Sequence, residues 1–337
     1  MRSTLTGIFA VVLIVILSSV ASVGQDSSFF PDGFVIPPEM VYIPAGPFQM
    51  GDALNEGCSD EFPVHTVTLS AYYISCYEVT NDEMLEVLTW ARANGRIAVS
   101  QSEVKNATGD SRDLLLLDEA QCRIVWNGTS FELKAEKASG YPCVEVTWYG
   151  AIAYCNYRSE MEGLTPCYNL SDWSCNWNAN GYRLLTDAEW EKAARGGAEG
   201  CRFPWSDVDT IDHTRANYFA TDDYVYDVSV TLGLHPQYGY DTGDTPYTSP
   251  VGSFPPNDYG IYDTAGNVWE WCWDYWDTNY YSYSPSVDPH GPSTGTYRVV
   301  RSGRWGYHAA MSRVSVRHHG YPGGRKRMGF RIGLSAG

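Results

Sequence analysis

The segment Gly181-Tyr182-Arg183-Leu184-Leu185-Thr186-Asp187-Ala188-Glu189-Trp190-Glu191 contains a complete helix start. Thr186 is a natural N-cap, and Glu189, three positions on, can reach back to the cap's own amide and so close a capping box. Trp190, Ala193 and Ala194 continue the helical pattern, and Gly196-Gly197 ends it. Two further helices are expected to either side. One begins at Thr80 or Asn81, with Met84, Leu85, Val87 and Leu88 at helical spacing. A third covers residues 147–160, where Trp148, Ile152, Tyr154 and Cys155 can share a buried face. Residues 40–43, 64–69 and 72–75 have β-rich composition, and Pro, Gly, Asn and Asp clusters separate the elements. Periodicity thus predicts a mixed α and β chain with few helices.

The 337 residues suffice for one large domain or two ordinary ones. No fixed-period repeat or long linker divides them, and residues 91–140, polar around a Leu114–Leu117 run, read as an insertion. At the start, Arg2, an apolar run over 8–20 and the small residues Ser18, Ser19, Ala21 and Ser22 have the marks of a secretory signal peptide. The run is shorter than the ~20 apolar residues a membrane-spanning helix needs. The expected organisation is a signal peptide at 1–23, a short linker at 24–36 and one domain at 37–335, in a secreted or periplasmic protein with no membrane span after cleavage. Nine cysteines in an exported chain suggest disulfides with one thiol left over, and Cys167 and Cys175 could clasp the loop between them. Three N-x-[ST] sequons start at Asn106, Asn127 and Asn169.

The net charge is −17, but nine of the 23 basic residues follow Asp288 and none of the 40 acidic ones does. A basic tail can mark a nucleic-acid patch, yet the acidic body would repel a polyanion. Pairing of the tail with the body is the simpler reading, and no nucleic-acid partner is expected.

Several blocks are more specific. Residues 38–51 (PEMVYIPAGPFQMG), Pro63-Val64-His65-Thr66-Val67-Thr68-Leu69, Tyr77-Glu78-Val79-Thr80-Asn81, Pro142-Cys143-Val144-Glu145-Val146-Thr147-Trp148 and the opening segment are followed by Pro250-Val251-Gly252-Ser253-Phe254-Pro255-Pro256-Asn257. Gly260-Ile261-Tyr262-Asp263, Gly266-Asn267-Val268-Trp269-Glu270-Trp271 and Gly329-Phe330-Arg331 complete the series. In composition and order, over roughly residues 37–333, this resembles the formylglycine-generating enzyme, or sulfatase-modifying factor, family. The resemblance implies an α+β fold, a C-type-lectin-like variant with low regular secondary structure. It also implies an activity: enzymes of the family oxidise a sulfatase cysteine to formylglycine with oxygen and copper held by two cysteines. Thiolates are the soft ligands that select Cu(I). Aligned on Arg313 and Arg317, the two cysteine positions fall on Tyr307 and Ser312, and the last cysteine of the chain is Cys272. Copper is therefore not expected, and no catalytic residue of that reaction is intact.

The resemblance further implies structural calcium, which suits hard oxygen donors. One site would use Asn267 and Glu270 with the carbonyls of Gly266 and Val268; another would use Asn217, the Tyr218 carbonyl and an acid near Asp241 or Asp244. Tyr307, His308 and Ser312 resemble part of a nucleophile–base set, but the segment supplies no orienting acid. His318-His319 read as solvated; Trp269 and Trp271 read as core rather than a sugar platform, with Trp276 left open. The expectation is an exported, non-catalytic protein that binds a peptide, protein, glycan or anionic group through Trp305, Tyr307, His308, Ser312, Arg313 and Arg317. The alternatives are an enzyme, in its family form an oxidase acting on a sulfatase partner, and a structural envelope protein.

Overall fold

The computed structural model of the protein describes residues 29–134, 138–238, 247–324 and 327–337. The three expected helices form, each behind a threonine cap. Helix α1 is Asn81–Ala93, α2 is Trp148–Met161 and α3 is Asp187–Ala194. The Thr80 and Thr186 side chains accept from the amides of Glu83 and Glu189, whose carboxylates return to the cap amides. After α3 the chain turns through Gly196 (φ 61°) and Gly197 (φ 87°), a backbone region open mainly to glycine.

Two four-stranded sheets form the body. In the first, Met40–Ile43, Tyr72–Ser75, Ile332–Ser335 and Arg183–Leu184 pair antiparallel in that order, joining both ends of the domain to the α3 segment. In the second, His318–Gly320, Arg298–Arg301 and Trp269–Tyr275 pair antiparallel and Met328–Gly329 adds in parallel. Trp148, Trp190, Trp269 and Trp271 are buried, so the core assignment of Trp269 and Trp271 holds. Two of these indoles find carbonyl acceptors: Trp148 Nε1 donates to Cys272 at 3.0 Å and Trp271 Nε1 to Val146 at 2.9 Å.

The described part of the expected insertion at 91–140 carries regular structure. It builds a three-stranded antiparallel sheet (Ile97–Val99, Glu103–Asn106, Asp113–Leu116) and a hairpin (Ile124–Trp126, Phe131–Leu133). Leu114, Leu115 and Leu117 enter the same apolar core as α1 and α2. The expected linker also needs correcting. Phe30 is buried in that core, with Phe29 and Phe34 packed on it, so folded structure begins before residue 37. The physical reason is the apolar area of three phenylalanines, which a polar linker would leave in water.

The signal peptide expected at 1–23 lies outside the described residues. Among those described, no helix is long and apolar enough to cross a membrane. All nine cysteines are free thiols, so the expected disulfides, including a Cys167–Cys175 clasp, are absent from the structure. Instead, Cys167 Sγ hydrogen-bonds the Gly181 carbonyl at 3.2 Å, and burial pushes its pKa up to about 11. Asn106 is buried and donates to the Thr108 carbonyl at 2.5 Å, which leaves Asn127 and Asn169 as the exposed sequons.

The basic tail pairs with the acidic body, as its charge asymmetry predicts. Arg301, fully buried, donates from Nε to Asp187 at 2.6 Å and from Nη2 to Glu191 at 2.9 Å. Arg331 forks onto both oxygens of Glu270 at 2.6 Å. Arg298 is different: it is sandwiched 3.6 Å from the Trp148 ring centroid and 3.5 Å from that of Tyr275. Burial pushes its pKa down to about 10.

Candidate functional site

The segment 302–312 leaves the strand Arg298–Arg301 and is pinned by the turn at 263–267. Ser302 (φ 82°) and Gly303 (φ 81°) both take left-handed backbone, and a Cβ on Gly303 would stand 2.7 Å from the Met311 carbonyl oxygen. Ser302 Oγ donates to the Gly266 carbonyl at 2.9 Å, and the Gly266 amide donates to the Ser302 carbonyl at 2.7 Å. The Trp305 amide donates to the Asn267 carbonyl at 3.1 Å, and the Tyr307 carbonyl accepts from the Phe219 amide at 2.9 Å. The Gly266–Trp271 block therefore positions this loop through backbone hydrogen bonds.

Aromatic side chains line the loop. Trp305 is buried against Val144 and Val268, with Tyr247 parallel to it at 6.1 Å. Tyr307, half-buried, meets Trp269 edge-on at 5.8 Å, and Trp269 meets His318 at 5.1 Å. His308 stacks on Tyr224 at 5.1 Å. His318 and His319 thus lie half-buried in a strand against Trp269 and Trp276, rather than solvated on a loop. Three buried polar atoms of the loop lack a hydrogen-bond partner: Arg304 Nη1, His308 Nδ1 and Ser312 Oγ. Folded proteins pair more than about 90% of such atoms, so three within nine residues make this loop a candidate site.

The expected arginines do not belong to that surface. Arg313 is buried and forks onto Glu61 with both distances 2.9 Å; Arg317 is buried and donates from Nε to Asp187 at 2.8 Å. A guanidinium taken out of water needs a carboxylate partner, and these two have theirs. Assigning them to ligand recognition is therefore corrected: they hold the loop's C-terminal end onto the body. Of the six expected residues, Trp305, Tyr307, His308 and Ser312 share the loop but meet different neighbours: Trp305 packs on Val144 and Val268, Tyr307 on Trp269 and His308 on Tyr224, while Ser312 is buried.

The first calcium set does not fit a cation. Both Glu270 oxygens are occupied by Arg331, and one also accepts from Trp190 Nε1 at 2.7 Å. Asn267 Oδ1 accepts from the Ser249 amide at 2.9 Å, and its Nδ2 donates to Glu78 at 3.1 Å. In the second set, Asn217 Oδ1 is buried and unpartnered, a donor that suits a hard cation, while the Tyr218 carbonyl accepts from His213 at 3.2 Å. Asp241 and Asp244 lie outside the described residues.

Neighbouring carboxyls that sequence reasoning missed are Glu78 and Asp263, both buried. Burial pushes Asp263 up to about 7, although the Gly252 amide and Arg331 pull it back. Burial and the Asp263 charge raise Glu78 as well. A cavity of about 440 Å³ lies elsewhere, between Trp177, Arg183, Glu189, Asp288 and His290. Its Arg183 and Glu189 are already paired at 2.7 Å. Loop 302–312, with its unpartnered atoms, is the stronger candidate.

Residues 29–335 match the family model described as “Sulfatase-modifying factor enzyme 1-like domain”. The formylglycine-generating enzyme of Streptomyces coelicolor is 32% identical over 316 residues, covering 88% of this chain and 89% of that protein. Among solved structures, Treponema denticola variable protein 1 superposes with a TM-score of 0.59 at 28% identity, over 88% of this chain and 94% of that one. PvdO from Pseudomonas aeruginosa gives 0.57 at 27% identity, over 88% and 94%.

Proposed function

The chain belongs to the sulfatase-modifying factor family, and from that premise we propose that it is an exported, non-catalytic member that binds a ligand through loop 302–312. The observation that carries this reading is that one loop holds three unpartnered buried atoms, on Arg304, His308 and Ser312, together with the half-buried Tyr307 ring under the Arg304 guanidinium. Where the resemblance expects two copper-binding thiolates, Tyr307 and Ser312 offer hydroxyls, hard donors that do not fit Cu(I). Aromatic side chains with a few polar groups among them are instead the usual make-up of a binding site. The ligand classes that suit it are a peptide, a protein segment or a glycan.

The test is a glycan and peptide array probed with wild type and with Tyr307→Ala/His308→Ala. Removing the aromatic pair is expected to weaken binding roughly tenfold or more, about 1.4 kcal/mol. A folded double variant that retained wild-type binding would mean the wrong face had been chosen. Repeating the array with calcium and with a chelator addresses Asn217, whose free Oδ1 suits the ion. The second reading is an oxidase acting on a sulfatase cysteine, favoured by the 32% identity to the Streptomyces coelicolor enzyme.

A further inference from the structure

Arg304 and Arg327 flank Trp305, with their guanidinium carbons 5.4 and 5.6 Å from its ring. Arg304 also lies 4.4 Å over Tyr307. Arg183, Arg195, Arg301, Arg313, Arg317 and Arg331 all sit against carboxylates. Among the described residues, no carboxylate lies within ion-pair distance of Arg304 or Arg327. Glu145 accepts from the Arg327 backbone amide at 3.3 Å. Burial lowers the pKa of Arg304, and the Arg327 charge lowers it further. In a chain of net charge −17, two adjacent guanidinium groups, one half-buried and one exposed, make a local positive site that an anion can complete.

We infer that Arg304 and Arg327 form a recognition site for an oxyanion, a carboxylate, sulfate or phosphate group carried by the ligand, with Trp305 and Tyr307 as its aromatic wall. The inference rests on the reading of loop 302–312 as the ligand face and adds the chemistry of what it takes. A guanidinium presents a planar fork that matches such oxygens two at a time. Gly306 keeps the approach open: a Cβ there would stand 2.8 Å from Arg304 Nη1, the atom that lacks a partner.

Calorimetric titration of the intact protein with sodium sulfate, phosphate and acetate, at constant ionic strength against chloride, tests this and ranks the three anions. Wild type is expected to bind at least one of them. Arg304→Gln/Arg327→Gln should weaken that binding at least about tenfold, as should Gly306→Ala, which keeps both charges but displaces Arg304. Arg327 is exposed, so Arg327→Gln alone provides a variant whose folding is not in question. Anion binding unchanged in these variants, or absent from wild type, overturns the inference. Array binding that depends on Tyr307 and His308 while every anion fails would overturn the oxyanion site and leave the ligand face standing; loss of both would sink both.

Discussion

Arg301→Met will destabilise the protein by about 3–5 kcal/mol, the cost of breaking a buried ion pair by removing one partner. The residue is fully buried and its guanidinium is saturated. Nε and Nη2 meet Asp187 and Glu191, Nη2 also reaches the Tyr281 hydroxyl at 3.0 Å, and Nη1 donates to the Val314 and Val316 carbonyls at 3.1 and 3.0 Å. Methionine fills much of the volume but leaves two buried carboxylates short of a cation and two carbonyls without donors. For a domain of this size the melting temperature should fall by roughly 10 °C. Arg202→Met provides the contrast. That arginine pairs with the partly exposed Glu56 and the exposed Asp209, where ion pairs are worth about 1 kcal/mol or less. Urea melts of both variants check the pair; an Arg301 loss as small as that of Arg202 would mean the tail does not hold the body together.

Asp263→Asn should act in the opposite direction. The Asp263 carboxyl is pushed up to about 7 by burial, from an ordinary value near 4. Between those values the folded state holds a proton that the unfolded state has released, so stability falls as pH rises through that window. Three pKa units correspond to about 4 kcal/mol as an upper bound. Asparagine keeps an oxygen for the Gly252 amide, which donates to Asp263 at 2.6 Å, and it tolerates the left-handed backbone found there (φ 56°). The variant should therefore be more stable than wild type by about 2–4 kcal/mol at pH 8, with little gain at pH 4.5. Equilibrium unfolding at the two pH values measures this; equal gains at both would show that ionisation is not the cause.

The helices are legible in the sequence because their signals are local. A threonine cap with Glu three residues on names its own start, as at Thr80 and Thr186, and Thr147 lacks only the glutamate. The α+β sulfatase-modifying-factor fold is legible from ordered blocks, even though its sheets join strands hundreds of residues apart, such as Tyr72–Ser75 and Ile332–Ser335. Strands as short as Ile97–Val99 and Ile124–Trp126 carry no periodic signal, which is why residues 91–140 read as a featureless insertion. Phe29-Phe30 and Phe34 are an available sign that the domain begins early.

Charge asymmetry announces that the tail pairs inward but does not say which arginines do so. Standing beside Tyr307 and Ser312 in sequence, Arg313 and Arg317 read as outward-facing, yet Glu61 and Asp187 claim them. Arg304 and Arg327 occupy the same basic stretch and flank Trp305, with no carboxylate in ion-pair distance among the described residues. Only three-dimensional pairing separates the two groups. The same holds for Glu270, whose place in a signature block suggests a cation ligand, while Arg331 in fact lies across both of its oxygens.

We propose that this family member keeps the scaffold without the oxidase chemistry, because Tyr307 and Ser312 stand where the resemblance expects thiolates. The most direct test is to incubate the copper-treated protein with a Cys-x-Pro-x-Arg peptide in air and to look for the aldehyde by mass spectrometry. The Streptomyces coelicolor enzyme serves as the positive control. The peptide cysteine should emerge unchanged; its conversion to formylglycine in multiple turnovers would contradict the account.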